Sequence, residues 1–147
     1  MKQIINRMEL RFPSGSVNES FARGAVSAFV LCLDPLVTEL NDLKTAVSEA
    51  VTNAIVHGYR DTIGTVYITA VIYADGTVQV KVRDRGCGIP DIEKAMEPLF
   101  TTGGEERAGL GFAVMQSFCD SVRVISKPQK GTTVTLTKRF ERKPNGE

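Results

Sequence analysis

Two β-branched runs, Thr65 to Tyr73 and Thr77 to Val82, are separated only by Ala74-Asp75-Gly76. Asp-Gly between such runs is a strong hairpin signal, because glycine accepts the positive φ that a twist-matched turn requires. A second pair, Ser121 to Ser126 and Thr132 to Phe140, is joined through Lys127-Pro128-Gln129-Lys130-Gly131 and reads as the last hairpin. Ahead of both, Met8-Glu9-Leu10-Arg11-Phe12 alternates apolar and polar residues and predicts a first strand.

Between the first strand and the first hairpin the period changes from two to nearly four. Ser16 with Glu19 has capping-box spacing, so a helix is expected from there to about Leu33. Asp34-Pro35 breaks it and opens a second helix, in which Leu36, Leu40, Leu43, Val47, Val51 and Ile55 form an apolar stripe. Gly58 stands where a left-handed residue would end that helix. Asp91 caps a short helix through about Glu97, Leu99 to Ala108 reads as a loop, and Leu110 to Phe118 reads as a last helix. Helices grouped between hairpin-linked strands predict an α+β sandwich: one mixed, mostly antiparallel sheet with helices on one face. At 147 residues a single domain is expected over 1–147, with a frayed tail from Glu141.

Eighteen basic against seventeen acidic residues leave a net charge of +1, so there is no global attraction to nucleic acid or anionic membrane. The N-terminus lacks a secretory signal, and no apolar run approaches a membrane span. Three cysteines without metal-type spacing suggest a reduced, cytoplasmic protein. Cys87 reads either as a reactive thiol or as a tolerated small residue between glycines.

The chemistry concentrates in an ordered set. Glu49 and Asn53 lie one helical turn apart, flanked by Ala46, Ala50 and Ala54. Such a stripe is either a solvated face or the wall of a groove. Then comes Asp84-Arg85-Gly86-Cys87-Gly88-Ile89-Pro90, where an acid in a glycine turn can accept a hydrogen bond from a base amino group. A second glycine pair, Gly109 and Gly111, opens the last helix. The glycine fingerprint of parallel dinucleotide folds is misplaced here and a Walker-type loop is absent, so another kind of nucleotide site is implied.

These motifs resemble the ATP-binding superfamily of gyrase, Hsp90, histidine kinases and mismatch-repair ATPases, and within it the anti-sigma serine kinases. The resemblance rests on Ser48-Glu49-Ala50-Val51-Thr52-Asn53-Ala54, His57-Gly58-Tyr59, the Asp84 turn, Pro98-Leu99-Phe100-Thr101-Thr102, Gly109-Leu110-Gly111-Phe112 and Gly131-Thr132-Thr133. The run Asn18-Glu19-Ser20-Phe21-Ala22-Arg23 carries the match to that branch, and coverage runs from about residue 8 to residue 137.

The resemblance implies ATP or ADP with Mg²⁺ as ligands. Asn53 would hold the metal and Glu49 would be the general base for an attacking serine hydroxyl. Asp84 would bind the adenine amino group with support from Thr133, and Gly86 and Gly88 would border the base. Thr101, Thr102, Arg107, Gly109 and Gly111 would form the phosphate lid and its hinge, with Arg107 either near the γ-phosphate or simply solvated. Arg23 would face partner proteins: a sporulation sigma factor to be inhibited, and an anti-anti-sigma protein to be phosphorylated on serine. A homodimer is implied, with the first strand as its candidate edge. The rivals are a stress-response kinase of the same branch and a nucleotide-dependent binding module without phosphoryl transfer. His57 invites a phosphoacceptor role, yet its place inside the Asn53 motif fits packing or hydrogen bonding better.

Overall fold

The computed structural model describes residues 3–96 and 104–141, and over 104–110 the backbone path alone. Five strands form one sheet in the order β1-β2-β3-β5-β4: β1 (Ile4–Pro13), β2 (Thr65–Tyr73), β3 (Thr77–Asp84), β4 (Ser121–Lys127) and β5 (Gly131–Arg139). Every neighbouring pair is antiparallel, so the sheet is not mixed as the sequence predicts. The Asp75-Gly76 turn forms as expected. Gly76 has φ 91°, its N–H donates to the Tyr73 carbonyl, and the Thr77 N–H donates to the Asp75 carboxylate.

Helices α1 (Asn18–Val30), α2 (Val37–Thr52), α3 (Ile92–Met96) and α4 (Gly104–Phe118) accompany the sheet. Val66, Ile68, Ala70 and Ile72 of β2 alternate inward with Val78, Val80 and Val82 of β3 and with Val134 and Leu136 of β5. They meet Leu43, Val47 and Val51 of α2. Burying each such side chain is worth about 1.5–3 kcal/mol, which is what fixes α2 on the sheet. Ala46, Ala50 and Ala54 are buried too. The small-residue stripe is therefore not a solvated face: Ala50 and Ala54 line a cavity, and α2 packs between α1 and α4.

Several helix boundaries differ from expectation. The first helix begins at Asn18 without a side-chain cap, because Glu19 spends its carboxylate on the Thr52 hydroxyl (2.9 Å) of α2. It ends at Val30 and passes through a 3₁₀ turn, Leu31–Leu33, to a left-handed Asp34 (φ 51°). The α2 cap is the Leu36 N–H donating to Glu39 (3.1 Å) rather than a feature of Asp34-Pro35. The last helix starts at Gly104, so 104–108 are helical where a loop was expected.

At its far end α2 does not stop on a left-handed glycine. It widens into a π-helical turn, Asn53–Gly58, closed by the Tyr59 N–H donating to the Ala54 carbonyl five residues back (3.0 Å). Such turns are rare and gather at functional sites.

Candidate functional site

Asp84 is the last residue of β3 and pairs with Thr132 of β5. Its strand parity turns it to the helix side, where it is 5% exposed. Packing around it is tight and backbone-led. A Cβ on Gly58 would stand 2.8 Å from the Asp84 carboxyl carbon, one on Gly86 would overlap the Gly58 carbonyl, and one on Gly131 (φ 113°) would overlap the Asp84 carbonyl. The Cys87 N–H donates to that Gly58 carbonyl (3.0 Å). Tyr59, just past the π turn, donates its hydroxyl to the Thr65 carbonyl (2.7 Å) and accepts the Arg85 N–H (2.6 Å). On the other flank the Ile89 N–H donates to Ser126 Oγ (2.7 Å), which pairs with the Thr132 hydroxyl (2.8 Å).

The Asp84 carboxylate accepts the Gly86 N–H (2.9 Å). Burial pushes its pKa up, and its backbone hydrogen bonds with Gly86 and Thr132 oppose that only in part. A desolvated carboxylate with spare lone pairs is a strong acceptor for an incoming amino group.

The other half of the site is carried by α2 and the π turn. Gly111 of α4 is buried facing them, so that a Cβ there would lie 3.2 Å from Glu49 Oε2 and 3.8 Å from Asn53 Oδ1. The structure thus brings Glu49, Asn53 and Gly111 together. A cavity of about 940 Å³ runs from Asn53 and His57 past Phe112 to Gly88, Asp84 and Thr132, a volume suited to a nucleotide.

Other expected residues fall elsewhere. Gly88 (φ 77°) lines the cavity, whereas Gly86 works one layer back, as the flat surface against Gly58. Thr133 is on the opposite face of the sheet, in a groove with Arg11, Tyr67 and Arg83, and its neighbour Thr132 is the one at the cavity. The parity of the buried Val134 and Leu136 already points to Thr132. Arg60, Asp61, Asp91 and Lys94 also line the cavity, without any motif to announce them. Thr101 and Thr102 lie outside the described residues, as does the side chain of Arg107; the backbone of Arg107 and Gly109 belongs to α4. Arg23 is half-buried on α1 and donates to Ser48 Oγ of α2 (3.2 Å), next to Glu49.

Mg²⁺ fits this donor set. The ion prefers a few protein oxygens plus phosphates and water. Asn53 offers one hard oxygen, and its Nδ2 is buried with no hydrogen-bond partner among the described residues. No group of three or more His, Cys, Asp or Glu side chains is poised for a metal among the described residues, so a wholly protein cage is not on offer.

Residues 19–138 match the model of the histidine kinase-like ATPase domain. An anti-sigma F factor of Caldanaerobacter subterraneus subsp. tengcongensis is 56% identical over 138 residues, covering 93% of this chain and 96% of that relative. The chain belongs to the anti-sigma F factor family. A family member from Geobacillus stearothermophilus is 54% identical over 136 residues, covering 92% and 93% of the two chains. Among solved structures, the RsbU and RsbW domains of Rv1364c from Mycobacterium tuberculosis superpose with TM-score 0.69 at 22% identity, over 94% of this chain and 33% of that one. The SiaB–SiaC complex of Pseudomonas aeruginosa gives TM-score 0.57 at 12% identity, over 92% and 89%. At those identities the likeness is one of fold.

Proposed function

We propose that this member of the anti-sigma F factor family is an ATP-dependent protein serine kinase. It would also bind and inhibit a sporulation sigma factor, sigma F. The observation that carries the reading is one cavity lined by a buried acceptor, Asp84, and by Asn53, with Glu49 one helical turn before Asn53 and facing Gly111. One domain, 1–147, would serve both activities in the cytoplasm. No helix among the described residues is long and apolar enough to cross a membrane.

In this mechanism Asp84 accepts a hydrogen bond from the adenine amino group, and Thr132 takes the supporting role that the family resemblance implies for Thr133. Asn53 would hold Mg²⁺ through its side-chain oxygen, and the ion would offset phosphate charge. Glu49 removes the proton from a serine hydroxyl of an anti-anti-sigma protein. The serine oxygen then bonds to the γ-phosphorus, the bond from that phosphorus to the β–γ bridging oxygen breaks, and ADP departs. Thr101, Thr102, Arg107, Gly109 and Gly111 are assigned to phosphate contact. Arg23 is assigned to partner contact, and β1, an edge strand, to pairing in a homodimer.

Transfer of ³²P from ATP to the cognate anti-anti-sigma protein tests the kinase claim, with Glu49→Gln alongside. Wild type should transfer while the variant binds ATP and does not. If both bind ATP and neither transfers, the domain is a nucleotide-dependent binding module instead.

A further inference from the structure

Among the described residues the helices pack on one face of the sheet, and the other face carries a charge pattern that the cavity does not explain. Strand parity and register assign its rows. One row runs Glu9, Thr69, Lys81, Thr135, Arg123 across β1-β2-β3-β5-β4, and the next runs Arg11, Tyr67, Arg83, Thr133, Ile125. Arg11, Lys81, Arg83 and Arg123 are all exposed. The acid in these rows, Glu9, is already ion-paired to Arg7 (3.2 Å). Arg83 and Arg85 both hold guanidiniums over the Tyr67 ring, at 4.5 and 5.0 Å from its centroid. A groove of about 520 Å³ lies among Arg11, Tyr67, Lys81, Arg83 and Thr133. In a chain whose net charge is +1, this face is a local cationic field.

The spacing says what kind of anion fits. Arg11 and Arg83 are two strands apart, as are Lys81 and Arg123, which is about 10 Å, and Lys81 and Arg83 are about 7 Å apart along β3. Arg11 and Arg123, on the two edge strands, are four strands apart, about 19 Å. That is too wide a spread for one phosphate to engage every cation, whereas an extended chain with repeated negative groups can. Single-stranded nucleic acid is disfavoured, since it binds by stacking bases on free aromatic rings and the Tyr67 ring already carries arginines. A second copy of the chain is disfavoured as well, because two such faces repel.

We infer that the open face of the sheet, centred on Lys81, Arg83 and Arg123, is a docking surface for an acidic segment of a partner protein. This site is separate from the nucleotide cavity and from Arg23 on α1, and it stands whether or not phosphoryl transfer occurs.

A fluorescein-labelled peptide of alternating glutamate and alanine is a suitable probe, followed by anisotropy on the full chain at several salt concentrations. The triple variant Lys81→Glu, Arg83→Glu, Arg123→Glu should lose roughly tenfold or more in affinity, and wild-type binding should weaken with salt. ATP affinity should be unchanged in the variant, which also reports that it is folded. The milder pair Lys81→Gln, Arg123→Gln should lose a smaller share, and Arg23→Glu should lose none. Binding that is absent in wild type, indifferent to the triple variant, or abolished by Arg23→Glu overturns the proposal. So does tighter, reversal-sensitive binding of an oligothymidylate, or a change in oligomeric state on charge reversal.

Discussion

The two ends of the cavity are built on different principles. Around Asp84 the chain touches itself everywhere: three glycines remove side chains that would collide, Tyr59 ties β2 to the turn after β3, and Ser126 ties that turn to β5. Around Asn53 the polar groups are held by helix backbone but not used up. Asn53 Nδ2 has no partner among the described residues, and Glu49 faces Gly111 across a short gap. The base end is a finished mould whose shape does not wait for its ligand. The phosphate end keeps its bonding capacity for what arrives. Recognition of the base and chemistry on the phosphate should therefore fail separately.

Substitutions at the two ends test that separation. The largest effect belongs to Glu49→Gln, which should slow phosphoryl transfer by about 10²–10⁴-fold, the usual contribution of a general base, and leave ATP affinity nearly unchanged in equilibrium dialysis. Asp84→Asn should do the reverse, costing more than roughly tenfold in ATP affinity through loss of a charge-assisted hydrogen bond worth about 1.5–3 kcal/mol. The same variant should melt at a higher temperature than wild type when no nucleotide is present. Burial raises the Asp84 pKa above 3.8, so the folded state holds that proton more tightly than the unfolded chain does. Its contribution to stability is complete below the unfolded value and is lost as pH rises through the folded one. At neutral pH the ionised carboxylate is therefore a cost that asparagine removes. A higher affinity or a lower melting point for Asp84→Asn would collapse the distinction between the ends.

Glycines give a smaller and cleaner contrast. Gly86→Ala drives a methyl into the Gly58 carbonyl and should cost about 1–3 kcal/mol in urea unfolding, as forced packing does. Gly24→Ala, on α1 with nothing within 4 Å of the added carbon, should stabilise the protein by about 0.5–1 kcal/mol through helix propensity.

Much of this was legible from residue order. The hairpin turn sits where local pattern puts it, as do Leu43, Val47 and Val51 of the α2 stripe, whereas Leu36 is exposed at the cap. Asn53, Asp84 and Gly88 line one cavity, with Glu49 and Gly111 beside Asn53. What escaped is tertiary. The Ser16–Glu19 capping box failed because Glu19 has a better use on Thr52, a partner 33 residues away. The motif match points to Thr133, although strand parity favours Thr132. Gly58 and Gly86 were read through their own backbone freedom or a ligand, when the reason for each is the other and Asp84. Arg60, Asp61, Asp91 and Lys94 reach the cavity through folding alone.

The Asn53–Gly58 turn also bears on how this chain tolerates changes in length. A ring closed five residues back instead of four is an α-helix with one residue too many, and that residue re-phases all that follows. The regular interval linking Glu49, Asn53 and His57 is thus broken between its last two members. Rewinding the turn as ordinary helix with every residue kept would swing Tyr59 by about 100°, off the Thr65 and Arg85 backbone, whereas deleting one residue inside it would leave Tyr59 near its place. An apparently spare residue at the end of α2 thus sets the phase in which Gly58 and Tyr59 meet the strand end bearing Asp84.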